Sequence, residues 1–339
     1  MKDGKITIHD ISRELGIDSS TVSRALNNSS RVTQKTKDKI LKKALELGYQ
    51  RNSLASKLRT NKTNTIGVIV PRISRHFFST VIAGIEETAY EAGYNVIICQ
   101  SLEDIKREKK LVETLLSNRV DGILISVSIQ TVDADYLRTN DIPLIFFDRP
   151  YNVSENTNVI IDDYKASFEA TEHLILGGCK NIAHFSGPQE LELYRRRKKG
   201  YIDAMMKHNL EIKSDYIIES RLMKEDGEEN AKTLLKLPKV DGVFSANDTA
   251  AISAILFLKK QGVKIPEEIA FVGFSNEPIA SVIEPSLTTI NQKDFEMGKV
   301  AASLLFEQIK NEGVIKKGQT EMLKPELIIR KSSRVMHRK

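Results

Sequence analysis

Ser19, Ser20, Thr21, Ser23 and Arg24 crowd four hydroxyls and a guanidinium into six residues. A buried helix needs a wider apolar stripe, and a merely solvated one favours Lys, Glu and Ala over hydroxyls. Such a surface suits a polar, anionic partner. Arginine can bond both acceptors of guanine in bidentate fashion, whereas Ser and Thr read base edges more permissively. A second set of groups is scattered further along: Phe77 and Phe78, Ser126 and Ser128, Asp148 with Arg149, Arg197, Asn247 with Asp248, and Ser275 with Asn276. Carboxylate, amide, hydroxyl and guanidinium groups beside an aromatic pair suit a polyol such as a sugar. Taken singly, each has an ordinary reading as a cap, a structural hydrogen bond or a core aromatic. Catalysis finds no support, because the chain has no GxGxxG after a strand, no P-loop, no HExxH and no GxSxG. Asp162-Asp163 could be offered as a metal or acid–base pair, but without further ligands it reads as a cap. The expectation is a binding protein, not an enzyme, with no metal and no cofactor.

The hydroxyl-rich stretch needs an element to present it. Thr7 can cap a helix carrying Ile8, Ile11 and Leu15 at i, i+3, i+7, with Gly16 ending it. Asp18 is a good N-cap for the second helix, where Val22 and Leu26 point one way and leave the hydroxyls and Arg24 free. Thr33 caps a longer third helix with Ile40, Leu41, Ala44 and Leu45 inward, closed by Gly48. Two helices joined by a tight Gly turn and braced by a third make a helix-turn-helix unit, whose second helix enters the major groove of double-stranded DNA. Charge agrees. Residues 1–62 hold 14 Lys and Arg against 6 Asp and Glu, a net of +8, while the whole chain carries +6. A basic head on a mildly acidic body points to a polyanion met by the head alone. The next segment, NSLASKLRTNKT, puts Ala55 and Leu58 on an otherwise polar strip. A helix of about eight residues is unstable alone in water. It can fold when two copies meet on DNA, with Leu58 as a wedge between base pairs.

The second set needs a different frame. IGVIV, NVIIC, VDGILIS and IPLIFFD read as buried parallel strands. The pattern restarts at NIAHFSGP, and VDGVFSA and IAFVGF repeat the earlier runs in kind. A helix spans about Ser79–Glu91 and another about Arg197–His208. Two βα lobes of one build imply a bilobal α/β body with two parallel sheets, periplasmic-binding-protein-like, behind a small all-α head and hinge helix. In such sheets ligands sit outside the carboxyl ends of the strands, here between the lobes. The boundaries expected are a head at 1–50, a hinge at 51–62 and a body at 63–339. The N-lobe takes about 63–162 plus 292–323, and the C-lobe about 163–291 plus 324–335. No apolar run nears the about 20 residues of a membrane span, and MKDGKITIHD lacks the apolar core of a signal peptide. With only Cys99 and Cys179, a disulfide scaffold is excluded. A cytoplasmic protein with no membrane partner is expected. A periplasmic solute-binding protein would share the two lobes, but with a signal peptide and without the basic head.

The stretches ITIHDISRELGIDSSTVSRALNNSSRVTQKTKDKILKKALELGYQRN and SLASKLRT resemble the lactose-repressor/galactose-repressor (LacI/GalR) family of bacterial transcription regulators. RHFFSTVIAGIEETAYEAGYNVII, RVDGILIS, RRRKKGY, FSANDTAAISAI and PEEIAFVGF extend the resemblance over almost the whole chain. It implies that His9, Ser19, Ser20, Thr21, Ser23, Arg24 and Asn27 contact operator DNA, with Ala55 and Leu58 at the hinge-packing and minor-groove positions. It places Phe77, Asp148, Arg197 and Asn247 on the effector pocket. The family often has GFDD or GYDD where this chain has GFSN, so Ser275 replaces a ligand-binding Asp by a neutral hydroxyl. A homodimer on a pseudo-palindromic operator is implied, since two-fold protein symmetry calls for two-fold DNA. The ending RKSSRVMHRK lacks the heptad tail of the family's tetramers. The whole reads as a repressor controlled by a small-molecule effector, a sugar or sugar derivative.

Overall fold

The computed structural model describes residues 6–49, 62–132, 134–138, 142–311 and 318–333. The chain divides into two compact units, Met1–Lys62 and Thr63–Lys339. The hinge residues Ala55 and Leu58 lie outside the described residues.

In the first unit, helix α1 (Ile8–Leu15) opens on a reciprocal cap: the Thr7 hydroxyl and N–H both donate to Asp10 Oδ2, at 2.7 and 2.9 Å. It closes on Gly16 at φ 62°, where a side chain would be strained. Ser12 Oγ then donates to Ile17 O at 2.7 Å, fixing the turn. Helix α2 (Ser19–Leu26) is capped by Asp18, which accepts from Ser20 N at 2.8 Å. Helix α3 (Gln34–Glu46) is capped by Thr33. Ile11, Val22, Ala25, Val32, Ile40 and Ala44 form the small core. Leu41 and Leu45, expected inward, are 50% and 84% exposed. The buried stripe of α3 runs through Lys37, Ile40 and Ala44 instead. One residue further round is about 100° off that stripe.

The second unit holds two six-stranded sheets of corresponding strand order. The N-lobe sheet comprises β1 (Thr65–Val70), β2 (Asn95–Gln100), β3 (Gly122–Ile125), β4 (Leu144–Phe147), β5 (Thr157–Ile161) and β11 (Thr320–Leu323). Their order is β11-β5-β4-β3-β1-β2, and every pairing is parallel. The C-lobe sheet comprises β6 (Ile182–Ser186), β7 (Ile217–Glu219), β8 (Gly242–Ser245), β9 (Ala270–Phe274), β10 (Thr288–Asn291) and β12 (Glu326–Ile328). Its order is β12-β10-β9-β8-β6-β7, parallel except for antiparallel β12. The inner strands β3, β4, β6 and β8 are buried along their length; GILI and LIFF are wholly apolar, while His184, Ser186 and Ser245 are polar groups buried within β6 and β8. On the edge strand β2, Ile97 and Ile98 are exposed.

Helices α4 (His76–Glu91), α5 (Ile105–Ser117) and α11 (Asp294–Lys310) serve the N-lobe. Helices α6 (Asp163–Leu176), α7 (Glu192–Lys207), α8 (Lys224–Leu234), α9 (Asp248–Lys260) and the short α10 (Ile279–Val282) serve the C-lobe. The chain passes between lobes three times: from β5 to α6, from β10 to α11 and from β11 to β12. Helices α6 and α7 pack closely at Gly200, where a Cβ would land on Ser167 Oγ and Tyr164 O. That contact fixes Asp163, on α6, opposite Arg197, on α7.

Candidate functional site

In both sheets the first strand has its second neighbour on one side and its third on the other. This reversal opens a crevice at the carboxyl ends of the strands. Loops from those ends enclose a cavity of about 350 Å³. Seven of the expected residues line it: Phe77, Phe78, Asp148 and Arg149 from the N-lobe, and Arg197, Asn247 and Ser275 from the C-lobe. Ser128 does not. Its N–H donates to Glu108 Oε2 at 2.5 Å and its hydroxyl to Ser101 Oγ at 2.9 Å, so it is buried behind the crevice. Two helices start earlier than expected. Phe77 and Phe78 belong to the first turn of α4, packed edge to face at 5.1 Å. Arg197 sits in the second turn of α7 rather than opening it.

Arg197 organises the base of the cavity. Nε donates to Asp163 Oδ1 at 2.7 Å, Nη1 to Ala246 O at 2.8 Å, and Nη2 to Gln292 Oε1 at 3.2 Å. Its guanidinium stacks 3.6 Å from the Phe274 ring centroid. Asp163 and Gln292 stand at two of the three passages between lobes, so this one side chain ties both passages to the C-lobe. Of the five guanidinium N–H groups, three are spent, which leaves two for a ligand. Gln292 Nε2 donates in turn to Ser275 Oγ at 2.9 Å.

Asp148 faces this arginine's lobe from the end of β4. Burial pushes its carboxyl up to about 6, against the opposing pull of Arg149 and Arg197. Its direct partner is Ser126, whose hydroxyl donates at 3.3 Å; Arg149 Nε stands 3.7 Å away. An ionised carboxylate so placed has unused acceptor capacity, which ligand hydroxyls can fill. Asp148 at φ 64° and Ser275 at φ 122° both hold backbone conformations that side chains rarely adopt. Such strain concentrates at binding sites. Arg149 itself is committed to Glu103 through two bonds of 2.9 Å and to Val127 O at 2.7 Å.

Asn247 has a structural duty as well. It caps α9 through Ala250 N at 2.9 Å and donates from Nδ2 to Leu222 O at 2.9 Å. Asp248 lies behind the wall, accepting from Thr289 Oγ1 at 2.6 Å and Glu277 N at 2.8 Å. Asn276 accepts from Arg330 Nη2 at 2.7 Å. Sequence reasoning missed Arg72, Arg75, Tyr194, Arg221, Glu277 and Gln292, all on the lining. The signal was available for most of them, since they follow the ends of β1, β7, β9 and β10 directly. It also read Asp162-Asp163 as one cap, whereas only Asp162 caps α6, through Lys165 N at 3.1 Å.

In the head, His9, Ser20, Arg24 and Asn27 are exposed, and Ser19, Thr21 and Ser23 are half-buried. Val22 and Ala25 take the inner face of α2, so its polar side chains turn outward.

Two family profiles cover the chain. The one described as bacterial regulatory proteins, lacI family, matches residues 7–52. The one described as periplasmic binding proteins and sugar binding domain of LacI family matches residues 63–324. The chain belongs to the LacI family of bacterial transcriptional regulators. Among its relatives is the HTH-type transcriptional regulator DegA of Bacillus subtilis (strain 168), 32% identical over 333 residues, covering 97% of this chain and 98% of DegA. The lac repressor dimer bound to operator and the anti-inducer ONPF superposes with a TM-score of 0.86 at 25% identity, covering 97% of this chain and 99% of that one. The complex of the transcriptional regulator CelR with cellobiose gives 0.74 at 26% identity, covering 96% and 99%. These LacI-family relatives are transcriptional regulators rather than enzymes. Among the described residues of this regulator, no helix is long and apolar enough to cross a membrane.

Proposed function

We propose that this LacI-family regulator is a repressor whose operator affinity is set by a small polyol effector, of the sugar class, bound in the cleft between the lobes. The observation that carries this is the polar floor of the cavity: the two unspent N–H groups of Arg197 lie in the same crevice as the under-satisfied Asp148 carboxylate. Donor and acceptor together match vicinal hydroxyls, and the CelR relative is bound to a sugar. Because Arg197 ties two interlobe passages, a ligand that engages it biases how the lobes are set. DNA must then change effector affinity by the same factor as the effector changes DNA affinity.

The protein acts as a homodimer, each head reading one half of a pseudo-palindromic operator. Support comes from the dimeric lac repressor neighbour and from Ile279 and Val282 of α10, 47% and 77% exposed. Operator contact is assigned to His9, Ser19, Ser20, Thr21, Ser23, Arg24 and Asn27, with Ala55 and Leu58 at the hinge. Effector contact is assigned to Phe77, Phe78, Asp148, Arg197, Asn247 and Ser275. The test is fluorescence anisotropy on duplexes selected from random sequence, repeated with a library of sugars and sugar derivatives. The expected outcome is tight binding of one palindromic duplex and its reversal by a small set of compounds. A protein with no duplex preference overturns the reading.

Within that reading, Arg24 pairs with a guanine. Arg24→Ala should cost about 1–3 kcal/mol of operator affinity and relax selectivity at one base pair. An equal loss on operator and on random DNA would reduce Arg24 to a phosphate contact.

A further inference from the structure

The arginines of the cleft differ in how their charge is met. Arg149 is held by Glu103 at 2.9 Å, Arg197 by Asp163 at 2.7 Å, and Arg221 faces Asp226 at 3.4 Å. Arg72 and Arg75 line the same cavity, yet among the described residues neither has a carboxylate within ion-pairing distance. Arg75 spends its donors on weak acceptors across the cleft, from Nη2 to the Met223 thioether at 3.0 Å and from Nη1 to Thr249 Oγ1 at 3.5 Å. The acidic groups nearby are otherwise engaged. Glu103 carries Arg149 and accepts from Ile129 N at 3.0 Å, and Glu277 accepts from Thr249 Oγ1 at 3.1 Å. A half-buried guanidinium without a counter-charge is costly, and planar donors of this kind recognise carboxylate and phosphate by two parallel hydrogen bonds.

Exposure sets the direction. Arg197 at the base is 4% exposed, Arg72 and Arg75 are half-buried, and Arg221 opposite them is exposed. The cavity is thus polarised, with hydroxyl-binding groups inside and, towards solvent, positive charge that no direct ion pair meets, Arg72 acting only at longer range on the Glu103 carboxylate that Arg149 already holds. We infer that the effector is an anionic sugar, a polyol bearing a carboxylate or phosphate, whose hydroxyls meet Asp148 and Arg197 while its charged group is clamped by Arg72 and Arg75. This rests on the effector reading above and narrows its ligand class. Arg221, on the other lobe, closes over the same anion, so that charge neutralisation draws the lobes together.

Calorimetry and thermal denaturation test this with matched probes: glucose, glucuronate and glucose 6-phosphate, and galactose with galacturonate and galactose 6-phosphate. At constant ionic strength, at least one acidic or phosphorylated sugar should bind at least about tenfold tighter than its neutral parent. The carboxylate and phosphate arms tell the two sources of charge apart. In the double variant Arg72→Gln/Arg75→Gln that preference should vanish, read within the variant as a ratio of charged to neutral affinity near one. Both substitutions are away from the packed core, and an unchanged melting temperature without ligand verifies the fold. A panel in which no charged sugar exceeds its parent, or a preference that survives the double variant, overturns the inference. Operator release by neutral sugars alone removes this inference and leaves the effector reading intact. Tight binding of an acidic sugar with no effect on operator overturns the effector reading and leaves only the anion clamp of Arg72 and Arg75.

Discussion

Arg197→Ala should abolish the response of operator binding to effector and, in the same protein, lower folding stability by about 3–5 kcal/mol. Both losses follow from one geometry. The substitution removes the guanidinium that lines the cleft, and it leaves the Asp163 carboxylate buried, 6% exposed, without its partner at 2.7 Å. Burial already holds that carboxyl above its ordinary range with Arg197 in place. Arg197→Lys should rescue little, because a single ammonium cannot serve Asp163, Ala246 O and Gln292 in three directions while stacking on Phe274. The structural and binding roles separate in the double variant Arg197→Met/Asp163→Asn. It removes both charges while keeping volume, so urea unfolding should return most of the lost stability. Calorimetry should still find effector binding weakened by at least about 100-fold, which is the loss of charge-assisted hydrogen bonds to ligand. If the double variant regains effector affinity along with stability, Arg197 is structural alone.

The strands IGVIV, GILI and LIFF were legible because a sheet covered on both faces favours apolar runs, and these three are apolar throughout. The head was legible for another reason: Thr7, Asp18 and Thr33 are residue types that announce a helix start. Where that announcement fails, so did the boundaries. Arg75 and Leu191 precede α4 and α7, and neither makes a side-chain capping bond. Nothing local marks those starts. Leu41 and Leu45 show a different limit, since a helix with apolar residues at 40, 41, 44 and 45 offers two candidate stripes. Packing against Ile11 and Val22 chose between them.

Part of the cleft was readable from residues at or just past strand ends, which is why Asp148, Asn247 and Ser275 arrive together, although the same rule passed over Gln292. Ser128 failed that rule by its partner rather than its position. Glu108, inside α5 and eight residues past the end of β2, reaches across to accept its N–H together with the hydroxyls of Thr131 and Tyr136. The pairing of Arg197 with Asp163 and Gln292 joins residues 34 and 95 positions away. It depends on passages between lobes that no local pattern encodes.

Asp148 carries the second large effect, and its sign runs opposite to that of an ion-paired carboxylate. Burial raises its folded-state value from 3.8 to about 6, so the folded protein binds this proton more tightly than the unfolded chain does. Below 3.8 both states are protonated and the group is neutral in its effect. As pH climbs from 3.8 through 6, ionising it inside the fold costs stability, levelling off at about 3 kcal/mol. Asp248, pushed up to about 7 by burial, adds a similar slope at slightly higher pH. The difference between parent and Asp148→Asn therefore isolates Asp148. Urea unfolding should show the variant more stable by about 2–3 kcal/mol at pH 7.5 and equal to the parent near pH 4. Effector binding should move the other way. Ligand hydroxyls donate to the ionised carboxylate, so parent affinity should rise through the folded-state value of about 6 and level off above it once the group is fully ionised, whereas Asp148→Asn should bind weakly at every pH. This opposition, stability lost where affinity is gained, is what a site poised for a polyol requires: the ligand supplies the hydrogen bonds that the empty cleft withholds. Stability curves for parent and variant that run parallel from pH 4 to 7.5 would show that Asp148 does not titrate there, and would remove it as the acceptor of the site.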